Sequence, residues 1–244
     1  MPKTKFGYKE INSSEKPEMV NNVFTSVSNK YDVMNDLMSF GLHRLWKKQF
    51  IRMCDIPSAK NVLDIACGTG DISMNIIKLN PSIKLTCLDP NKEMIEICRQ
   101  KLINNGFIDT NFHIKGIEDY KPKNKKYDLI TVAFGFRNFT NHKKAIENIY
   151  NILSPGGKFI ILDFKKPRND IYSKLFKIYT LNIIPKLGKL VANDEESYRY
   201  LGESIQTYLS PNEINSMLKG SGFIETKIIN LLEDVATIHI AYRS

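Results

Sequence analysis

Val62-Leu63-Asp64-Ile65-Ala66-Cys67-Gly68-Thr69-Gly70-Asp71 is the stretch that decides the fold. An apolar run ends in a glycine-rich turn, and an amphipathic segment starts near Asp71. The pattern reads strand, tight turn, helix, the nucleotide-binding opening of a doubly wound α/β fold. Gly68 and Gly70 carry no Cβ, so the backbone can turn sharply there and a ligand can lie against it. The next apolar run, Ile83 to Leu88, ends at Asp89, nineteen residues after Gly70. A carboxylate in that place can accept hydrogen bonds from both hydroxyls of a ribose.

The turn also says something about the charge of its ligand. Ser73 stands where a dinucleotide-binding turn would have its third glycine, and Asp64 and Asp71 flank the turn. Acids in these places repel a pyrophosphate and suit a cationic ligand. S-adenosylmethionine bears an ammonium and a sulfonium and no phosphate. The D-x-A-C-G-T-G-D stretch resembles motif I of the class I methyltransferases, with Asp89 at the acidic end of their second strand. On these residues alone, a glycine-rich turn that binds nothing stays open beside that reading.

At 244 residues the chain is long enough for one sizeable core, and 42% hydrophobic against 25% charged residues suits an ordinary globular protein. No apolar run approaches the roughly 20 residues of a membrane-spanning helix. The N-terminus lacks the apolar core of a secretory signal and has no arginine before Arg44. A cytoplasmic protein is expected. Cys54, Cys67, Cys87 and Cys98 form no C-x-x-C pair, and no His/Cys cluster has metal-ligand spacing, so reduced thiols and no metal are expected. The net charge of +9 comes from dispersed positions such as Lys47-Lys48, the run from Lys121 to Lys126, and Lys165-Lys166 with Arg168. Nucleic-acid binding calls for a concentrated basic stripe with stacking aromatics, and none is evident. A solvated surface, or attraction to the anionic inner face of a membrane, fits the scatter.

Residues 1–15 are polar and expected to be loosely ordered. Two helical segments are expected between Glu18 and about Met53, joined through residues 31–39. Strands near 61–66, 83–88, 111–115, 128–133 and 158–163 alternate with helices near 71–79, 91–104 and 142–153. This predicts a mostly parallel sheet with right-handed crossovers. Ser154-Pro155-Gly156-Gly157 is expected to turn the chain before a strand. A helix over Pro211–Gly220 and strands near 223–230 and 235–242 are expected to close the sheet edge with an antiparallel pair. Between Phe164 and Ser210 the rhythm breaks into helices, the first expected to end at Pro185. The predicted organisation is a helical lid over 1–55, an α/β core over 56–164 and 210–244, and a helical substrate cap over 165–209.

Several stretches together are similar to one family. They are Phe24-x-Ser26-Val27-Ser28-x-Lys30-Tyr31-Asp32-Val33-Met34-Asn35-Asp36-Leu37-Met38-Ser39, Gly41-Leu42-His43-Arg44-Leu45-Trp46-Lys47, Phe134-Gly135-Phe136-Arg137-Asn138, and Ala192-Asn193-Asp194-x-x-Ser197-Tyr198-Arg199-Tyr200-Leu201-x-Glu203-Ser204-Ile205. They resemble the ubiquinone/menaquinone biosynthesis C-methyltransferases, which methylate a prenylated quinol ring, and they span nearly the whole chain. The resemblance implies S-adenosylmethionine as methyl donor, contacted by Thr69, Asp89, the pair Ile117 and Glu118, and Ala133, beside Asp64, Gly68 and Gly70 of the turn. The chain departs from the family pattern at Ile117, where an Asp or Asn usually meets the adenine amino group, and at Ala133, where a hydroxyl or small residue is usual. Backbone groups, Glu118 or Asp119 are the alternatives for adenine. The implied partners are a prenylated quinol, the membrane surface, a quinone-biosynthesis complex and a second copy of the chain.

The chemistry asks for a group that stabilises a phenolate and one that accepts a proton. Arg137 and Asn138 are the candidates for the phenolate, with a structural ion pair as the other reading of Arg137. His43 and Asp163 are candidate proton acceptors, each with a purely structural alternative. Phe134, Tyr198, Tyr200 and Glu203 are candidate substrate contacts, with core packing as the alternative. Other functions remain open: methylation of another small molecule or of RNA, a nucleotide-binding dehydrogenase, or a non-catalytic subunit of an assembly.

Overall fold

A computed structural model describes residues 2–39, 41–123, 126–167, 170–231 and 235–244. Arg168 and part of the lysine run, residues 124–125, lie outside the described residues. The chain opens with a hairpin, β1 (Lys3–Phe6) and β2 (Lys9–Asn12), followed by helices α1 (Lys16–Val27), α2 (Tyr31–Ser39) and α3 (His43–Met53). The alternating part follows: β3 (Asn61–Ile65), α4 (Asp71–Leu79), β4 (Lys84–Asp89), α5 (Lys92–Asn104), β5 (Asn111–Ile114), β6 (Tyr127–Ala133), α6 (His142–Ile152) and β7 (Leu153–Phe164). Helices α7 (Asp170–Ile178), α8 (Ile184–Ala192) and α9 (Glu195–Gln206) interrupt it before α10 (Pro211–Gly220), β8 (Phe223–Asn230) and β9 (Ala236–Arg243).

The seven-stranded sheet has the order β5-β4-β3-β6-β7-β9-β8. The pairs from β5 through β7 are parallel, and β9 joins β7 and β8 antiparallel. The period-two pattern of the strands feeds two apolar layers. Val62, Leu85, Leu129, Ile160 and Ile238 pack into one with α3, α4 and α5. Leu63, Ile65, Val132, Phe159 and Ile161 pack into the other with α6 and α10. Burial on both faces stabilises the sheet by about 1.5–3 kcal/mol for each large apolar side chain. The doubly wound fold with an antiparallel closing pair is the one the sequence predicts. Strand order reverses between β3 and β6, which leaves a crevice at their C-terminal ends.

Four local expectations are corrected. Residues 3–12 form a hairpin, with Lys3 opposite Asn12 and Phe6 opposite Lys9. It rests on α9, where the Tyr8 N–H donates to Glu203 Oε2 at 3.1 Å and Phe6 stacks on Tyr200 at 4.1 Å. The segment joining the first two helices is itself helix α2, with Met34 and Met38 buried. Leu153 pairs with Tyr127 and Lys158 with Leu129, so the Ser-Pro-Gly-Gly stretch is a bulge inside β7, turned at Gly156 with φ +71°. Pro185 does not end a helix. A π-turn over Tyr179–Ile183 precedes it, and proline falls in the first turn of α8, where its missing N–H is tolerated.

Candidate active site

A cavity of about 380 Å³ opens in the crevice at the C-terminal ends of β3, β4 and β6. Ala66, Gly68 and Asp89 form its floor, and Pro17, Val20 and Phe24 of α1 form one wall. The loop after β5 brings Ile117, Glu118 and Asp119, and the segment after β6 brings Phe134, Asn138 and Phe139. A smaller cavity shares Ala66 and Phe134 and is lined by Asp64, Cys67, Thr69 and Ala133. Ala66 and Phe134 both hold positive φ, 49° and 58°. Gly135 lies so close to Ala66 that a Cβ on it would sit 2.4 Å from the alanine Cβ. Strand ends strained in this way are held by their surroundings and are common at ligand sites.

Of the residues expected on the cofactor side, all but Gly70 line one of these two cavities. The Gly68 N–H donates to Asp89 Oδ2 at 3.0 Å and the Asn91 N–H to Oδ1 at 2.9 Å. Burial pushes the Asp89 carboxyl up to about 6, against those two bonds. Each oxygen keeps lone-pair capacity for a ligand hydroxyl. Among the described residues the buried Thr69 Oγ1 has no partner, and Ala133 lines the same smaller cavity. Gly70 turns with φ +83° against Cys98, whose Sγ would lie 2.6 Å from a Cβ on that glycine. Asp64 is buried and accepts bonds from Ser73 Oγ at 2.6 Å and Thr131 Oγ1 at 2.7 Å. The serine in the place of a third glycine therefore braces β3 to α4. Burial raises the Asp64 carboxyl to about 7.

Asp71 does not await a cationic ligand. Lys47 Nζ and Lys101 Nζ donate to it at 2.7 and 2.6 Å. Burial opposes its charge, but the two ammonium groups outweigh burial and hold it well below the usual carboxylate range. The Ile117 carbonyl accepts from Asn148 Nδ2 at 2.5 Å, and its buried side chain joins the core. Glu118 Oε1 accepts from the Thr140 N–H at 3.0 Å, while Asp119 is tied to Lys144 at 2.7 Å.

Among the four candidate catalysts, Asn138 alone lines the larger cavity. Its Oδ1 accepts from Tyr200 Oη at 3.0 Å. The buried Arg137 guanidinium donates from Nη1 to Asp163 Oδ1 at 2.8 Å and to the Phe134 carbonyl at 2.5 Å, and from Nε to Ser204 Oγ at 3.2 Å. Arg137 and Asp163 thus brace the β6 and β7 ends against α9 and are absent from both cavity linings. His43 lies outside both cavity linings. Its Nε2 bonds to Asp36 Oδ1 at 2.8 Å, in a groove lined by Arg44, Lys47 and Lys48. Burial lowers its pKa against the pull of Asp36.

The predicted substrate contacts divide in the same way. Phe134 lines both cavities. Tyr198 is buried against Gly188, where a Cβ would lie 2.3 Å from its ring, and Glu203 holds the hairpin. Tyr200 reaches the site only through Asn138. Helix α9 thus turns Tyr198 onto α8, Tyr200 onto Phe6 and Asn138, and Glu203 onto the hairpin. Sequence reasoning also missed Lys16, whose buried ammonium donates to the Phe139 carbonyl at 2.9 Å. Burial brings Lys16 down to about 8, against the opposing charge of Glu118. Its place just before Pro17 at a helix start gave no signal. Asn91 was missed as well. It caps α5 and donates from Nδ2 to Thr25 Oγ1 at 2.7 Å and Asn21 Oδ1 at 3.0 Å, which fastens α1 over the cavity.

Residues 11–243 match the ubiE/COQ5 methyltransferase family. The chain belongs to this family. It is 42% identical over 242 residues to the ubiquinone/menaquinone biosynthesis C-methyltransferase UbiE of Pseudoalteromonas translucida, covering 98% of this chain and 96% of that protein. With the protein of the same name from Rickettsia bellii it shares 41% identity over 249 residues and the full length of both. The fold is shared with the plantazolicin methyltransferase BpumL, solved with a desmethyl substrate analog and SAH, at TM-score 0.66 and 17% identity, over 95% of this chain and 97% of that one. Human N-acetylserotonin methyltransferase, solved with SAM, gives a TM-score of 0.54 at 14% identity, over 96% of this chain and 57% of that one. Family membership thus agrees with the fold and with the turn at Gly68–Gly70. Among the described residues no helix is long and apolar enough to cross a membrane.

Proposed function

We propose that the chain is a C-methyltransferase that uses S-adenosylmethionine to methylate the ring of a prenylated benzoquinol, a demethylmenaquinol or both. One observation carries this beyond family membership: the Gly68–Asp89 floor and the apolar walls from α1 and the segment after β6 line one cavity. A nucleoside-bearing donor and an aromatic acceptor can meet there away from water. The residues fit the donor. Asp89 offers carboxylate oxygens to ribose hydroxyls, and the unpartnered Thr69 Oγ1 faces the place for the polar amino-acid end. Glu118, beside Ile117, is the acceptor we assign to the adenine amino group.

When bound, S-adenosylmethionine supplies an electrophilic methyl on a sulfonium. The chain's own part is to hold the acceptor carbon close to it and keep water out, which removes much of the entropic barrier. In this reading Asn138 Nδ2 donates to a quinol oxygen as it gains phenolate character, and Tyr200 fixes the orientation of the amide. Arg137 and Asp163 act as positioning residues that hold the Phe134–Asn138 segment. Val20, Phe24 and Phe139 give the prenyl tail an apolar bed. In this reading residues 1–55 serve as the lid and 165–209 as the frame that carries Tyr200. A cytoplasmic protein that visits the inner membrane face, alone, as a dimer or in a biosynthetic assembly, suits a membrane-resident substrate and the +9 charge.

The test is transfer of labelled methyl from S-adenosylmethionine to reduced demethylated benzoquinol and naphthoquinol acceptors. Label in either ring supports the reading. Cofactor binding with no label in either ring sinks it and favours a non-catalytic subunit.

A further inference from the structure

Cys67, Cys87 and Cys98 have no motif spacing, yet the fold gathers them. Cys67 follows β3 in the ligand turn, Cys87 lies in β4 and Cys98 in α5. Their three sulfur atoms lie within 4.8 Å of one another, all are buried, and none is in a disulfide. Among the described residues no carboxylate or imidazole joins the group. We propose that Cys67, Cys87 and Cys98 form a binding site for a thiophilic divalent cation of the zinc group, seated directly beneath the glycine turn.

The ligand set selects the ion. Three sulfur donors exclude magnesium and calcium, which demand oxygen, and favour soft metals. Sulfur atoms around a tetrahedral zinc lie about 3.8 Å apart, given Zn–S bonds of about 2.3 Å. A contraction of at most about 1 Å therefore closes the shell. As three S–metal bonds form, the S–H bonds break and their protons leave to solvent. Three thiolates around a dication leave one net negative charge. A monovalent ion would leave two negative charges buried, at greater desolvation cost. Cys67 is among the residues lining the smaller cavity, which offers an entry path to the site. Ser73 Oγ lies 3.2 Å from Cys87 Sγ and joins the site to Asp64. A bound ion would tie the turn that carries Gly68 and Thr69 to β4 and α5.

The experiment titrates the intact, reduced chain with cadmium as the probe under anaerobic conditions. Expected is a near-ultraviolet thiolate-to-cadmium absorbance that saturates at one ion per chain and is displaced by zinc. Cys87→Ser and Cys98→Ser lose the band. Cys54→Ser keeps it, because Cys54 sits apart at the end of α3 with its thiol on the Phe50 carbonyl. A second measurement needs no variant: zinc slows alkylation of Cys67, Cys87 and Cys98 in the native chain but not of Cys54. Absence of the band in the native chain, its survival in Cys98→Ser, or zinc protection that does not single out these three thiols overturns the site. None of these readouts depends on methyl transfer.

Discussion

Arg137 and Asp163 meet at two points inside the fold. The guanidinium Nη1 lies 2.8 Å from Oδ1, and the arginine's own backbone N–H donates to Oδ2 at 2.9 Å. Both side chains are about 2% exposed. A pair so buried is most informative when one half is removed, because the remaining charge has no solvent to turn to.

Arg137→Ala should therefore destabilise the protein by about 3–5 kcal/mol, read as a lower midpoint in urea unfolding. Replacing both partners with apolar residues of similar size should recover much of that loss. Native stability in the single variant would return Arg137 to the list of chemical groups.

Asn138→Ala should leave cofactor affinity near that of the native chain and lower turnover by about 10²-fold, the usual effect of deleting one donor to a developing oxyanion. Calorimetry and a methyl-transfer assay separate the two. A loss confined to cofactor binding would move Asn138 to the donor side.

Cofactor affinity should weaken with acid. Asp89 binds ribose hydroxyls best when ionised, and burial has raised its carboxyl to about 6. Affinity should be flat above that pH and fall by up to about tenfold per unit below it. Asp89→Ala should abolish the affinity. The sign for folding is opposite. Asp89 and Asp64 have folded values of about 6 and 7, above the ordinary 3.8. The stability they add is full below about 4 and is lost as pH rises through 6 to 7. Denaturant midpoints across that window, compared between the native chain and Asp64→Asn, check this.

Gly202→Ala should strain the seam between α9 and the π-turn. The new Cβ would lie 2.3 Å from the Thr180 carbonyl oxygen, a backbone atom that cannot rotate away. Overpacking of this kind costs about 1–3 kcal/mol. Turnover should fall through Tyr200 and Asn138, while cofactor affinity holds. Thermal melting and calorimetry together decide it.

The sheet and the cofactor turn were legible because their signals are local. Gly68, Gly70 and Asp89 announce themselves through backbone freedom and through position at the end of an apolar run. The hairpin was hidden because Lys3-Thr4-Lys5-Phe6 and Lys9-Glu10-Ile11-Asn12 are too short and too polar for period-two reading. The contact that pins it, Tyr8 with Glu203, spans almost the whole chain. Arg137 was singled out as a catalytic candidate, and Tyr198 and Glu203 as substrate contacts. Spacing shows which face a residue takes but not what lies opposite. The pairing of Arg137 with Asp163, of Tyr198 with Gly188 and of Glu203 with the hairpin turn was therefore invisible. The three gathered cysteines failed for the same reason, since β3, β4 and α5 bring together residues that no local window contains.

Strand β3 lies between β4 and β6, with Leu63 paired to Thr86 on one side and to Ile130 on the other. This order sets a timetable for biosynthesis. As the chain leaves the ribosome, β3, β4 and β5 can assemble first, but one edge of β3 stays bare until β6 has emerged behind them. That edge carries Leu63 and Ile65, and an unpaired apolar edge invites mispairing with other chains. Asp89 is already in place at that stage, whereas Asn138 is still to be synthesised. A nascent chain thus holds half of the pocket over an adhesive strand, and a stall in translation between β5 and β6 is where this protein is most exposed to aggregation.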